Sequence, residues 1–130
     1  MILPRFRQLV ILRISRTKKL GTFDTVRHGR LMRFGLGIAL LGGSYYNYNE
    51  WHASTYWFSE YDAELGIPLG EYKKLDNGAY TREFYKGIVI VNPTENNVII
   101  NLDGKYMDNS TREMSFTFIV ETNDAKILTK

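Results

Sequence analysis

The sequence predicts a mainly β protein: a small antiparallel β-sandwich preceded by one helix and one strand. Three observations support this prediction. Short apolar segments separated by turn residues follow one another from Tyr80 to Lys130. Apolar and polar residues alternate within 98–102 and 116–120, as in half-buried strands. A helical apolar pattern begins near Asp24 and ends at the pair Gly42-Gly43.

The helix is predicted from its spacing and its end signals. Either Thr22 or Asp24 can act as the N-cap. Gly35 and Gly37 each weaken the helix by about 1 kcal/mol relative to alanine, but glycines also permit close approach of a neighbouring element. The apolar residues at approximately helical spacing are Val26, Leu31, Phe34, Ile38 and Leu41.

A short aromatic strand, 44–49, follows the helix, and a long loop, 50–70, comes next. One helix and one strand cannot bury both of their faces, so we expect this unit to be the last piece of an α/β array. The loop combines aromatic residues with the acids Glu60, Asp62 and Glu64, a combination that suits sugar binding. A loop packed between two domains has the same composition, and composition alone favours that reading.

Six strands are predicted after the loop, separated by turns such as Asp76-Asn77-Gly78, Lys86-Gly87 and Asp103-Gly104. Arg82 stands between two aromatic residues on one strand face, which predicts a stacked or salt-bridged structural role. The predicted strands are Tyr80–Tyr85, Ile88–Asn92, Val98–Leu102, Lys105–Met107, Ser115–Val120 and Ala125–Thr129.

Composition excludes several classes of function. The chain has 130 residues and is 44% hydrophobic, enough for one domain with a modest core. It has no cysteine, which excludes disulfides and thiolate sites, and His28 and His52 do not have metal-ligand spacing. The longest apolar stretch, 34–41, is too short to span a bilayer, so we predict no membrane segment. These features leave the compartment open.

Charge is distributed unevenly along the chain. Residues 1–34 carry nine Lys and Arg side chains against one acid, Asp24, so this part has a net charge of +8 and the rest is acidic. A basic segment of this kind can bind nucleic acid, but its charges are scattered and match no nucleic-acid-binding motif. We therefore do not expect a nucleic-acid partner, and residues 1–22 are read as an irregular basic segment.

Several segments of the chain form a pattern through their order and spacing. They are Arg30–Leu36, Leu40–Gly42, Tyr45-Tyr46, Trp57–Gly70, Tyr80–Phe84, Gly87–Pro93 and Lys126–Leu128. This pattern resembles the C-terminal end of the hypothetical glycosyl hydrolases of family fifteen. The resemblance covers about residues 24–130. One departure is Ser59, at a position where an acid is expected.

The resemblance implies a (β/α)8 barrel followed by a small β-sandwich. Residues 23–70 would then be the last helix, strand and loop of a truncated barrel, and 71–130 the C-terminal sandwich. Glycosidic bonds are hydrolysed by two carboxylates, and barrel sites draw on several strands. The principal acid and base would lie on the rest of the barrel, so no catalytic residue is assigned here and the chain alone is expected to be inactive. The residues expected to line one edge of the sugar pocket are Tyr46, Tyr48, Trp57 and Glu60.

The expected partners are a carbohydrate and the remaining barrel portion of the parent protein. No cofactor or metal is expected. The alternative function is a non-catalytic β-sandwich that binds carbohydrate or a partner domain. The helix would expose an apolar stripe without a barrel, so the chain is expected to oligomerise, to adhere to other surfaces or to fold the helix back onto the sandwich.

Overall fold

The architecture comes from a computed structural model, which describes residues 25–43 and 58–130. Within these ranges the chain forms one α-helix, one short 3₁₀ helix at Ser59–Asp62 and six β-strands. The elements are α1 (Thr25–Gly42), β1 (Lys73–Lys74), β2 (Tyr80–Phe84), β3 (Gly87–Asn92), β4 (Val98–Asp108), β5 (Met114–Val120) and β6 (Asp124–Thr129).

The six strands form one antiparallel sheet in the order β1-β2-β3-β6-β4-β5. β3 lies in the centre and pairs along its full length with β6, from Gly87 opposite Thr129 to Asn92 opposite Asp124. β4 pairs with β6 through its last two residues, Met107 and Asp108. The first half of β4 therefore leaves the line of β6 and carries the β4–β5 hairpin across one face of β3.

Two core clusters cover the opposite faces of β3, because successive residues of a strand point to opposite sides. On one face Ile88 and Ile90 pack with buried residues of the β4–β5 hairpin, such as Ile100 and Phe118. On the other face Val89 and Val91 pack beneath α1. The continuous apolar run of β3 is thus buried on both sides.

Helix α1 lies directly against the sheet at Gly37. A Cβ atom added to this glycine would lie 2.7 Å from Val91 Cγ2 and 2.8 Å from Ala125 Cβ. Real side chains do not approach so closely, so the glycine allows the helix backbone to contact β3 and β6. The prediction that a helical glycine permits close approach is confirmed here, and the helix is folded back onto the sheet.

The ends of α1 agree with the sequence prediction as far as the structure describes them. Gly43 follows the helix with a φ of 68°, the left-handed conformation that commonly ends a helix. The proposed N-caps, Thr22 and Asp24, lie outside the described residues. One predicted core position differs, since Ile38 is 40% exposed while Met32 and Ala39 are buried.

The structural role predicted for Arg82 is confirmed by its contacts. It is buried on β2, its Nε donates to the Gly70 carbonyl oxygen at 2.8 Å, and one terminal nitrogen donates to the Leu40 carbonyl oxygen at 3.0 Å. The guanidinium carbon also lies 5.5 Å from the centre of the Phe84 ring. Burial lowers the pKa of Arg82, an effect that the charge of Glu71 partly opposes.

The predicted mainly β, antiparallel architecture is confirmed, with three differences in detail. The predicted sandwich has two separate sheets, whereas the observed strands form a single sheet that folds over on itself. The segments 98–102 and 105–107 form a single strand, β4, because a register shift between Asn101 and Tyr106 absorbs the predicted turn. The short strand β1 has no apolar pattern and was not predicted.

The predicted division at residues 22/23 and 70/71 stays a prediction. The segments 1–22 and 44–49 lie outside the described ranges, so neither the irregular basic segment nor the barrel strand is described. In the part of the chain that the structure does describe, no helix combines the length and hydropathy needed for a transmembrane span.

Candidate functional site

The described part of the acidic loop begins at Phe58 and forms the 3₁₀ helix Ser59–Asp62. The helix is short, and the Tyr61 N–H donates to the Phe58 carbonyl oxygen at 3.0 Å. Phe58 is buried and packs with Met32 of α1, which fixes the start of this segment against the helix. The Phe58 and Tyr61 rings meet edge to face, with their centres 5.8 Å apart.

Glu60 of the 3₁₀ helix points into the protein and is 5% exposed. Its Oε2 accepts from a terminal nitrogen of Arg33 at 3.3 Å and from the Ser110 hydroxyl at 2.7 Å. The Ser59 hydroxyl lies 3.1 Å from Glu60 Oε1 and 3.0 Å from the Asn109 carbonyl oxygen, and its one proton can serve either acceptor. Both carboxylate oxygens of Glu60 therefore have protein groups within hydrogen-bonding distance.

Arg33 of α1 joins two buried carboxylates. Its Nε donates to Asp124 Oδ1 at 2.9 Å, and a terminal nitrogen donates to Asp124 Oδ2 at 3.1 Å, which makes a two-point contact. Its other terminal nitrogen reaches Glu60. Burial acts to lower the pKa of Arg33, but the hydrogen bonds and charges of Asp124 and Glu60 outweigh it and raise the pKa. The guanidinium is therefore held in its charged form.

Asp124 is the first residue of β6 and is itself buried. Its Oδ1 also accepts from the Ala125 backbone N–H at 2.7 Å. Arg30, one turn before Arg33, lies 3.9 Å from Asp124 and pairs with the exposed Glu121. We call Arg33, Glu60, Ser110 and Asp124 the Arg33 network. It fastens the acidic loop, helix α1 and the start of β6 to one another.

Tyr61 lies beside this network and is half-buried. Burial raises its pKa to about 12, and the negative charge of Glu60 adds to the shift. The phenol is therefore neutral at physiological pH and does not act as a base there.

A surface cavity of about 630 Å³ opens beside the 3₁₀ helix. Asp62 and Glu64 of the acidic loop line it, together with the basic residues Lys86 and Arg112. Tyr85 also lines it and is 64% exposed, so an aromatic surface stands next to both signs of charge. The cavity offers hydrogen-bond donors, acceptors and an aromatic ring to a polar ligand.

The structure describes one of the four residues predicted to line a sugar pocket. Tyr46, Tyr48 and Trp57 lie outside the described residues, and their assignment stays a prediction. Glu60 is described, and its contacts are those of an anchor for the loop. Its neighbours Asp62 and Glu64 reach the cavity, so the acids of this loop have different surroundings.

Sequence reasoning missed Arg33 and Asp124 as members of the site. In the sequence, Arg33 is one of nine scattered basic residues in 1–34, and Asp124 stands just before the predicted strand Ala125–Thr129. The two residues are 91 positions apart, and no local pattern connects them. Ser59 replaces an expected acid, and here its hydroxyl links the loop to the segment after β4.

No metal centre is formed by the side chains in 28–43 and 58–130, where no suitable group of three His, Asp or Glu residues occurs. His28, which the sequence leaves as either structural or solvent-facing, is buried in α1. His52 lies outside the described part of the chain.

The fold and the site together define a mainly β protein. A helix packs on its one sheet, and an acidic, aromatic loop is fastened to both. The pattern of hypothetical glycosyl hydrolase family 15 matches residues 10–88. The match covers more than half of the chain, and the chain belongs to this family. The match begins at residue 10, whereas the resemblance read from the sequence begins at about residue 24. The match ends at residue 88, within β3. Comparisons with curated proteins and with solved structures gave no match.

Proposed function

We propose that this chain is the C-terminal part of a glycoside hydrolase, with the β-sheet as an accessory module and residues 23–70 as the end of a (β/α)8 barrel. The family match supports the glycoside-hydrolase relationship. The catalytic acid and base lie on the rest of that barrel, since such sites draw on several strands. This chain supplies one edge of the sugar pocket.

The observation that carries the proposal is the position of Arg33 between Glu60 and Asp124. These contacts tie the acidic loop to the helix and to the sheet. A loop that binds substrate has to be held in place, because misplacement of binding groups lowers the rate steeply. In this proposal the sheet holds the loop, and Glu60 contributes to the pocket edge by fixing the residues on either side of it.

Tyr46, Tyr48 and Trp57 are the proposed sugar-contacting residues of this edge. Aromatic rings pack on the apolar C–H faces of sugars, and the acids of the loop accept hydrogen bonds from hydroxyl groups. Asp62 and Glu64 add to this set, because both line the cavity beside the 3₁₀ helix. The proposal therefore places the sugar along the outer side of the loop, opposite the buried carboxylate of Glu60.

The test compares Trp57→Ala with Ile99→Ala in a family member that contains a whole barrel and the equivalent residues. Ile99 is 60% exposed on β4 and serves as a matched apolar truncation outside the loop. We expect Trp57→Ala to raise KM about tenfold or more, the size of a lost binding contact, and Ile99→Ala to have no effect. Unchanged kinetics for Trp57→Ala would overturn the assignment of the pocket edge.

The alternative is a non-catalytic module that binds carbohydrate or a partner domain. The family member with a whole barrel distinguishes the two proposals. If it is retained on an insoluble polysaccharide but releases no reducing sugar from it, the alternative is favoured. Reducing-sugar release by the chain alone contradicts the placement of acid and base on other strands.

A further inference from the structure

A second cavity, a groove of about 330 Å³, lies on the face of the sheet opposite α1. One wall comes from 69–75 and β2, which contributes Thr81 and Glu83. The other wall is the first half of β4, which crosses this face with the hairpin. The groove volume is within the range of roughly 300–1,000 Å³ that is common for small-molecule sites.

The groove exists because β4 is irregular. In a regular strand, successive side chains point to opposite faces. Here the four consecutive residues 100–103 all line the groove, as does Tyr106. The register shift between Asn101 and Tyr106 accounts for this, since an interruption of regular pairing turns side chains from their regular directions.

The lining combines an apolar floor with unpaired polar groups. Ile88, Ile100 and Leu102 form the apolar part, and the half-buried ring of Tyr106 stands beside them. Among the described side chains, the carboxylates of Glu83 and Asp103 have no hydrogen-bond or ion-pair partner. They are exposed at the groove and free to accept hydrogen bonds from a ligand.

The arrangement does not suit a metal ion or an anion. No group of three potential ligands that could hold a metal occurs among the described residues. Three carboxylates, from Glu71, Glu83 and Asp103, face one cation, Lys73, in the lining. This excess of negative charge repels anionic ligands but accepts hydrogen bonds from hydroxyl groups.

We propose that this groove binds a short stretch of neutral carbohydrate. The Tyr106 ring and the apolar floor contact the C–H face of a sugar ring, while Glu83 and Asp103 accept from its hydroxyl groups. Asn101 adds an amide nitrogen that can donate, while its Oδ1 already accepts from the Thr117 hydroxyl at 2.9 Å. The site lies on the opposite face of the sheet from α1, so it is separate from the proposed pocket edge. The ligand class rests in part on the proposed carbohydrate function.

The test uses amide chemical shifts of the full 130-residue chain titrated with four probes. These are cellotetraose, xylotetraose, mannotetraose and tri-N-acetylchitotriose, each to roughly 10 mM, about ten times a millimolar dissociation constant. We expect at least one probe to shift amides of 69–73, Glu83 and 100–106. The double variant E83Q/D103N should weaken binding about tenfold by isothermal titration, as expected for two charge-assisted hydrogen bonds.

The matched control is E95Q/E113Q, which makes the same charge change at two exposed acids outside the groove lining. It should bind like the wild type, and equal melting temperatures show that both double variants fold. Equal weakening by the control would overturn the proposal, because it would show a general charge effect.

Three further outcomes overturn the proposal. No shift with any probe excludes the site for neutral sugars. If no sugar shifts these amides but calcium chloride alone or a lysine-rich peptide alone does, the groove binds a cation or a basic peptide. If a sugar shifts only the amides of 58–64, the proposed pocket edge is supported and the groove is rejected as a sugar site. The two proposals can therefore fail separately.

Discussion

The guanidinium of Arg33 makes a two-point contact with the carboxylate of Asp124, with nitrogen–oxygen distances of 2.9 and 3.1 Å. This contact joins the middle of α1 to the first residue of β6. The same guanidinium extends to Glu60, so three elements that are distant in sequence meet at one side chain. The stability of the acidic loop therefore depends on Arg33.

Replacement of Arg33 by methionine is expected to lower the free energy of unfolding by about 3–5 kcal/mol, because it leaves two buried carboxylates without their cation. Urea denaturation measures this change. Hydrogen exchange at the Tyr61 and Ala63 amides should also become faster, since both donate within the 3₁₀ segment. Arg30→Met is the control: its pair with Glu121 is exposed and its Nε lies 3.9 Å from Asp124, beyond hydrogen-bonding distance, so these contacts together should contribute about 1 kcal/mol or less.

A second comparison separates loss of the cation from loss of packing. Arg33→Met combined with E60Q and D124N removes all three charges, and we expect it to recover part of the lost stability. If Arg33→Met alone destabilises no more than Arg30→Met, the Arg33 network does not hold the loop. The observation that carries the proposed function would then fail.

Gly37→Ala is expected to destabilise the protein although alanine is the better helix former. The added Cβ would lie 2.7 Å from Val91 and 2.8 Å from Ala125, both in the core. Overpacking of this kind costs about 1–3 kcal/mol and exceeds the gain of about 1 kcal/mol in helix propensity. The control is Gly70→Ala, since a Cβ at Gly70 meets nothing within 4 Å. A gain in urea midpoint for Gly37→Ala would contradict the close helix–sheet contact.

The strands after Tyr80 could be predicted because each is short, apolar and bounded by turn residues. β3 shows this most clearly, since its four consecutive apolar residues follow the turn at Lys86-Gly87 and end before Pro93. The exception is the pair Asp103-Gly104, which has the sequence of a tight turn but lies within β4. A bulge accommodates these two residues without ending the strand, and no local pattern distinguishes the two outcomes.

The candidate site could be predicted only in part. The composition of the acidic loop singled out Glu60, and the structure shows that Glu60 is a buried member of the Arg33 network. Its partners Arg33 and Asp124 were not found, because tertiary folding brings them together across 91 residues. The folded-over sheet was missed for the same reason, since strand patterns give the exposed and buried faces but not how far a sheet bends.

Arg82 is expected to stabilise the end of α1. The last carbonyl groups of a helix lack partners within the helix, and Arg82 donates to one of them, at Leu40. Arg82→Met keeps the aliphatic stem but removes the donors, and should cost about 2–3 kcal/mol in urea denaturation. Arg82→Lys keeps the charge but cannot reach both carbonyls in the same geometry, so an intermediate value is expected. A lysine variant as stable as the wild type would show that the two-carbonyl contact is not required.

Stability at alkaline pH should depend on Tyr61. Burial and the charge of Glu60 raise its pKa to about 12, whereas an unfolded tyrosine has a pKa of about 10. Because the folded state holds this proton more tightly, the stabilising contribution is complete below about pH 10 and is lost as pH rises through about 12. The wild type should therefore lose unfolding free energy faster than Tyr61→Phe over this window, as measured by urea denaturation at successive pH values. Between about pH 7 and 9 the two proteins should change in parallel, because the phenol is protonated in both states. The same slope in both proteins from about pH 10 to 12 would show that Glu60 and the surrounding core do not hold the phenol neutral.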